Sequence, residues 1–203
     1  MTHPLFEKHR AKLDAALNAI HTRGYWAAYN EMPSPKTYGE TAPDDGKKAF
    51  EAHLGQPFEL NQPGATGWQG GENSPFGIDL GQQFDLQQPG THAWLGGEVS
   101  PFGIDLNVQY PVCDIEALIA AGQAAMTGWQ AAGVEGRTGL CIEMLDRLNA
   151  QSFEIAHAVM MTTGQGWMMA FQAGSPHAQD RGLEAVTYAY REQSFVPAEA
   201  IWE

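Results

Sequence analysis

The sequence predicts a mainly α protein with a Gly/Pro-rich, partly β arm, on three observations. Apolar residues recur at helical spacing near the N-terminus and again from Pro111 onward. The stretch between them is punctuated by prolines and glycines. Inside that stretch a 26-residue unit occurs twice in tandem. Helical periodicity marks a buried stripe, whereas Gly and Pro break regular elements.

Residues 3–23 read as an amphipathic helix. Phe6, Leu13, Leu17 and Ile20 share one stripe, and Lys8, Arg10 and Lys12 lie largely off it. Thr2 is the expected cap, Pro4 fits the first turn and Gly24 the stop. From Tyr25 to Tyr110 only Asp44 to Leu54 suggests a short helix.

Residues 55–80 and 81–106 abut without a gap and match at 18 of 26 positions. Two copies are too few for a solenoid, which needs at least about three repeats to bury a continuous core. The Gly-Gly and Ser-Pro-Phe-Gly punctuation suggests an extended arm or hairpin. Phe58/Phe84, Trp68/Trp94 and Phe76/Phe102 are its expected packing residues. The organisation is therefore 1–54, a helix and loop segment; 55–106, the duplicated arm; and 107–203, a helical segment.

In the last segment Asp114 is placed to cap a helix with Ile115, Leu118, Ile119, Gly122, Met126 and Trp129 on one face. Ala131-Ala132-Gly133 ends it. A helix over about 135–150 carries Cys141, Met144, Leu145 and Leu148. Another, with Ser152 as cap and Ile155, Ala156, Val159 and Met160 inside, ends near Gly164. The stretch 165–193 is helical but broken at Gly174-Ser175-Pro176, where Pro176 removes a donor and Ser175 offers a new cap.

The chain of 203 residues carries 24 acidic and 11 basic side chains, a net charge of −13. That balance argues against nucleic acid and anionic membranes as partners. The first ten residues lack the apolar core of a signal peptide, and no apolar run approaches the roughly 18 residues that span a bilayer. Two cysteines make no disulfide framework. The expected location is cytoplasmic.

Chemical motifs are sparse. Cys141 falls mid-helix on an apolar stripe, where a thiol is a small hydrophobe. Cys113 precedes the cap Asp114, whose charge opposes a thiolate. Glu154 and His157 form one Glu-x-x-His pair, but a di-metal bundle needs that pair twice. Gly164-Gln165-Gly166 follows a helix, not the strand a dinucleotide loop requires. Met160, Met161, Met168, Met169 and Phe171 read as core. These residues alone name no catalytic, cofactor-binding or metal site.

Three longer segments carry a resemblance: HPLFEKHRAKLDAALNAIHTRGYWAAYNEMPSPKTYGE, SPFGIDLNVQYP and NAQSFEIAHAVMMTTGQGWMMAFQAGSPHAQDRGLEAVTYAY. They resemble the PaaN type of phenylacetic acid degradation proteins, a branch of the aldehyde dehydrogenase superfamily. The resemblance implies the N-terminal helical part of an aldehyde-dehydrogenase-like α/β fold. It implies an NAD(P)-dependent oxidation of an aldehyde from aromatic-acid breakdown, run by a cysteine, an asparagine and a glutamate that it places after Glu203. No cofactor is then expected on this chain alone, and NAD or NADP is implied for the complete family member. By the same analogy Trp167, Phe171, His177, Asp180 and Arg181 line a substrate tunnel. The expected partner is a complementary catalytic chain, or a further copy in a homo-oligomer. The rival expectation is a stand-alone assembly or binding module. Left alone, the stripes Ile115–Trp129 and Leu183–Tyr190 are expected to be exposed.

Overall fold

The computed structural model describes residues 3–56 and 91–196. The described elements are α1 (Pro4–Thr22), α2 (Pro35–Tyr38), α3 (Ala42–Ala52), β1 (Thr91–Leu95), β2 (Tyr110–Cys113), α4 (Ile115–Ala131), α5 (Gly133–Ala150), α6 (Ser152–Thr163), α7 (Trp167–Gly174) and α8 (Pro176–Ser194).

The fold is therefore helical, and the expectation of an α/β setting with a partly β arm is corrected. The described residues form no layer of parallel strands; their one sheet is an antiparallel ribbon of β1 and β2. Only β1 comes from the repeated arm, and its partner lies beyond it. After β1 the described end of the arm folds back on itself, with Val99 bridging Asp105 antiparallel. Gly97 and Gly103 take left-handed φ values of 96° and 77°, and the Ser100 amide donates to the Ile104 carbonyl at 2.8 Å. Glycine supplies such φ values at no steric cost. Phe58, Trp68, Phe76 and Phe84 lie outside the described residues. Phe102 is 56% exposed, so it is not a packing residue of the arm. Ser100 and Leu106 are buried instead.

Helix ends follow local chemistry. The Asp114 side chain accepts from the Ala117 amide at 3.1 Å and caps α4 as expected. Ala132 separates α4 from α5, which opens at Gly133 with φ 65°, and Gly164, with φ 76°, ends α6. The stop of α1 is Arg23, itself left-handed at φ 55°, rather than Gly24. Two expected caps are corrected. The Ser152 hydroxyl donates to the Asn149 carbonyl at 2.7 Å, and the Ser175 hydroxyl to the Ser152 carbonyl at 3.3 Å. Both serines are fully buried, so their hydroxyls satisfy carbonyls at the corners between helices.

Three apolar clusters hold the helices. The largest joins α1, α5 and α8 through Phe6, Leu13, Ile142, Leu145 and Leu183, with Tyr29 from the following loop. Val186 and Tyr190 pack against it, so the stripe Leu183–Tyr190 is covered, contrary to expectation. A second cluster seats Leu106 and Val108 on Phe50, beside Ala158 and Met161. The third is Phe153, Ala156 and Phe171. Met168 and Met169 are 43% and 57% exposed, so this pair is not core. Neither the short α2 nor the 17-residue α4 has a buried residue, although Tyr38 of α2 packs against the third cluster.

Candidate functional site

Two constellations and one groove carry most of the polar and aromatic chemistry of the described residues. The first lies where α6, α7 and α2 meet. The Phe171 ring stacks on Trp167 at 5.5 Å and 20°, and Tyr38 meets Phe171 edge-on at 5.6 Å and 86°. Phe153 completes the group, 5.1 Å from Phe171. Offset and edge-to-face pairs of this kind fix ring orientation as well as bury area. His157 sits beside it, stacked on Phe50 at 6.3 Å. Burial holds the His157 imidazole below its ordinary value, helped by the nearby Lys47 and opposed by Glu51.

The second constellation links α1 to α5. His9 is buried, with Nε2 2.8 Å from Glu143 Oε2 and Nδ1 3.5 Å from Asp146 Oδ2. Lys8 Nζ donates to Glu143 at 2.6 Å and Arg147 Nε at 3.0 Å. Lys12 pairs with Asp146, and the Tyr29 hydroxyl donates to Asp146 at 2.8 Å. Burial by itself would raise the Glu143 carboxyl. The hydrogen bonds from Lys8, Arg147 and His9 outweigh it and hold the group at about 2. Burial and the Asp146 carboxylate push the Tyr29 phenol far up, so it stays a donor. This network is satisfied from all sides and ties two helices together; it offers no free reacting group.

An open groove of about 330 Å³ lies between the end of α1 and α8, lined by Ala16, Ile20, Arg23, Asp180, Arg181 and Tyr188. Asp180 Oδ1 accepts from the Ala28 amide at 2.9 Å. Burial raises the Asp180 carboxyl, although the amides of Ala28 and Tyr29 pull it down.

The five residues that the resemblance assigns to a tunnel do not share one cavity here. Asp180 and Arg181 border this groove. Phe171 is fully buried and Trp167 partly so, both in the aromatic cluster. His177 is half exposed and pairs with Glu31 at 2.8 Å. The buried polar corner was not foreseen: Asn149 Nδ2 donates to Gln179 Oε1 at 2.9 Å, beside Ser152. No periodic signal marks such a contact between helices 30 residues apart in sequence.

Metal and thiol chemistry find little support. Among the described residues no group of three or more His, Cys, Asp or Glu side chains is placed to hold a metal ion. Glu154 is held by His53 at 2.8 Å, and His157 faces aromatic rings. Burial raises the Cys141 thiol, only partly offset by Arg137, which is the opposite of an activated nucleophile. Nor do the described residues fit a dinucleotide. Gly164 and Gly166 sit between two helices, and no strand feeds them. No described helix is long and apolar enough to cross a membrane.

No protein-family model and no curated protein matches the chain significantly. A solved structure does: the NAD-dependent aldehyde dehydrogenase from Burkholderia multivorans. It superposes with a TM-score of 0.82 at 47% sequence identity, over 100% of this chain and 32% of that one. The chain is thus homologous, along its whole length, to part of an aldehyde dehydrogenase, and spans about a third of the enzyme it matches.

Proposed function

We propose that these 203 residues form the helical, non-catalytic part of an NAD(P)-dependent aldehyde dehydrogenase that acts in aromatic, specifically phenylacetic acid, catabolism. Their role is to support a catalytic part and to shape the approach to it, not to oxidise aldehydes alone. The observation that carries this is the whole-length match, at 47% identity, to one third of an aldehyde dehydrogenase. The silent chemistry agrees: a half-buried, unactivated Cys141 and no strand-fed glycine loop among the described residues. In the full assembly Trp167, Phe171, His177, Asp180 and Arg181 would flank the route to the catalytic part. The Asp180–Arg181 groove is its open end.

Reconstitution tests this. The chain would be mixed with the remaining part of the Burkholderia multivorans enzyme, made as a separate polypeptide. Oxidation of an arylacetaldehyde would be followed by reduction of NAD or NADP. The expected result is no turnover from either piece and turnover from the pair. No turnover from any combination, with both pieces folded, would defeat the proposal.

A further inference from the structure

Residues 100–106, at the end of the second repeated unit, read Ser-Pro-Phe-Gly-Ile-Asp-Leu, and residues 74–80 of the first unit read the same at every position. The second-unit segment occupies a seat along α3 and α6. Leu106 and Val108 are buried against Phe50, beside Leu54, Ala158 and Met161. Ser100 Oγ lies 3.9 Å from Met161 Sδ. Backbone bonds fix the end of the segment: the Gly55 amide donates to the Leu106 carbonyl at 3.0 Å, and the Gln109 amide to the Gln56 carbonyl at 3.1 Å. Main-chain hydrogen bonds combined with apolar pockets at alternate residues are the means by which a protein recognises an extended peptide.

The first unit meets the conformational demands of this seat as well. Gly97 and Gly103 take left-handed φ values, and a Cβ on Gly96 would lie 2.5 Å from the Val108 carbonyl oxygen. The corresponding residues of the first unit are Gly71, Gly77 and Gly70. Asn107, left-handed at φ 48°, corresponds to Gly81, which takes that conformation at no steric cost. Gln109 corresponds to Gln83. The mismatch inside the seat is Val108, 6% exposed, which corresponds to Gln82. We infer that the α3–α6 edge is a binding site for a short extended peptide, that residues 74–80 are a second ligand for it carried on the same chain, and that Val108 selects residues 100–106. Two effects compete. Seating 74–80 would close a loop from Gln56 about half as long, which favours it by about threefold. Burying the Val108 side chain favours 100–106 by about tenfold or more, and a glutamine in an apolar cluster is costly besides. Val108 therefore outweighs loop closure, and the duplication leaves the fold intact.

Amide exchange on the 203-residue chain, read by mass spectrometry, tests this, because peptides from the two segments differ in their flanking residues and so in mass. In the unaltered chain exchange should be slower at 100–106 than at 74–80. In the swap Gln82→Val/Val108→Gln the slow exchange should move to 74–80. Protection that stays at 100–106 in the swap, or that is found at neither segment, overturns the inference. A second measurement compares melting temperatures. Leu106→Asp should lower the melting temperature less in the full chain, where 74–80 can take the seat, than in a chain without residues 55–80, where no second ligand remains. The shortened chain keeps Gly81-Gln82 after Leu54 in place of Gly55-Gln56, so without Leu106→Asp it should melt within a few degrees of the unaltered chain. An equal loss in both backgrounds, a full chain with Leu106→Asp that does not fold, or a shortened chain that does not fold also overturns the inference.

Discussion

Gly139→Ala should loosen the contact between α1 and α5, and the structure gives the scale. A Cβ built at Gly139 lies 2.5 Å from the Phe6 amide nitrogen, 2.7 Å from the Leu5 carbonyl carbon and 2.9 Å from Phe6 Cα. All three are backbone atoms, so no side chain can rotate away. The helices would have to part by about 1 Å, in the region where Phe6, Leu13, Ile142 and Leu145 interlock. Overpacking costs about 1–3 kcal/mol in well-packed cores. Against this, replacing a helical glycine by alanine contributes about 1 kcal/mol through propensity. The matched control is Gly122→Ala on α4, which gains the propensity and meets nothing. The two substitutions should therefore differ by about 1–3 kcal/mol and move in opposite directions, or at least separate clearly. For a chain of this size that is roughly 2–10 °C between their melting temperatures. Calorimetric or urea melts of the three proteins provide the comparison. A Gly139→Ala variant at least as stable as Gly122→Ala would refute the close backbone packing argued here.

Other positions give independent checks. Phe171→Ala removes a fully buried ring stacked on Trp167 and should cost about 3–5 kcal/mol, read as a lowered urea midpoint. Glu143 is held at about 2 against an ordinary 4.5, so its folded pKa is depressed. Its contribution is present above about pH 4.5 and is lost as pH falls toward 2. Lys8 and Arg147 are about half exposed, so solvent screening reduces that contribution to about 2 kcal/mol. Glu143→Gln should lose most of it at pH 7 and flatten the stability curve between pH 5 and 2, an outcome that acid titration of the melting temperature would show. In a Cys113→Ser background, Cys141 should react with a disulfide reagent more slowly in the folded chain than in urea, because burial raises its thiol. Faster reaction when folded would contradict that.

Much of the helical framework was legible because its signals are local. The stripe Phe6–Leu13 sits where its spacing puts it, Asp114 caps, and Pro176 restarts a helix after the Gly174 break. The errors cluster where a neighbour far along the chain decides. Ser175 looks like a cap because capping is local, yet its hydroxyl is claimed by the Ser152 carbonyl, 23 residues back at a buried corner. The same logic covers Leu183, which α1 and α5 bury although its own helix cannot say so. Most of the repeated arm lies outside the described residues; its described end holds the strand β1 and a tight turn in which Val99 bridges Asp105 antiparallel, closed at left-handed Gly103. The tunnel residues were carried by analogy alone. Trp167 and Phe171 join an aromatic cluster, Asp180 and Arg181 border the α1–α8 groove, and His177 pairs with Glu31.

The division of labour within the bundle follows from which charges are satisfied. Between α1 and α5 the buried His9 and Glu143 are paired with each other and with half-exposed Lys8 and Arg147, a state that resists the loss of any one partner. Across α4 the opposite holds: a nearly uncharged helix is left with its apolar stripe in water, a cost that only a covering surface removes. A chain built to act alone would place its charged network outward and its apolar stripe inward. Here the charged network lies inside one interface while an apolar helix faces out.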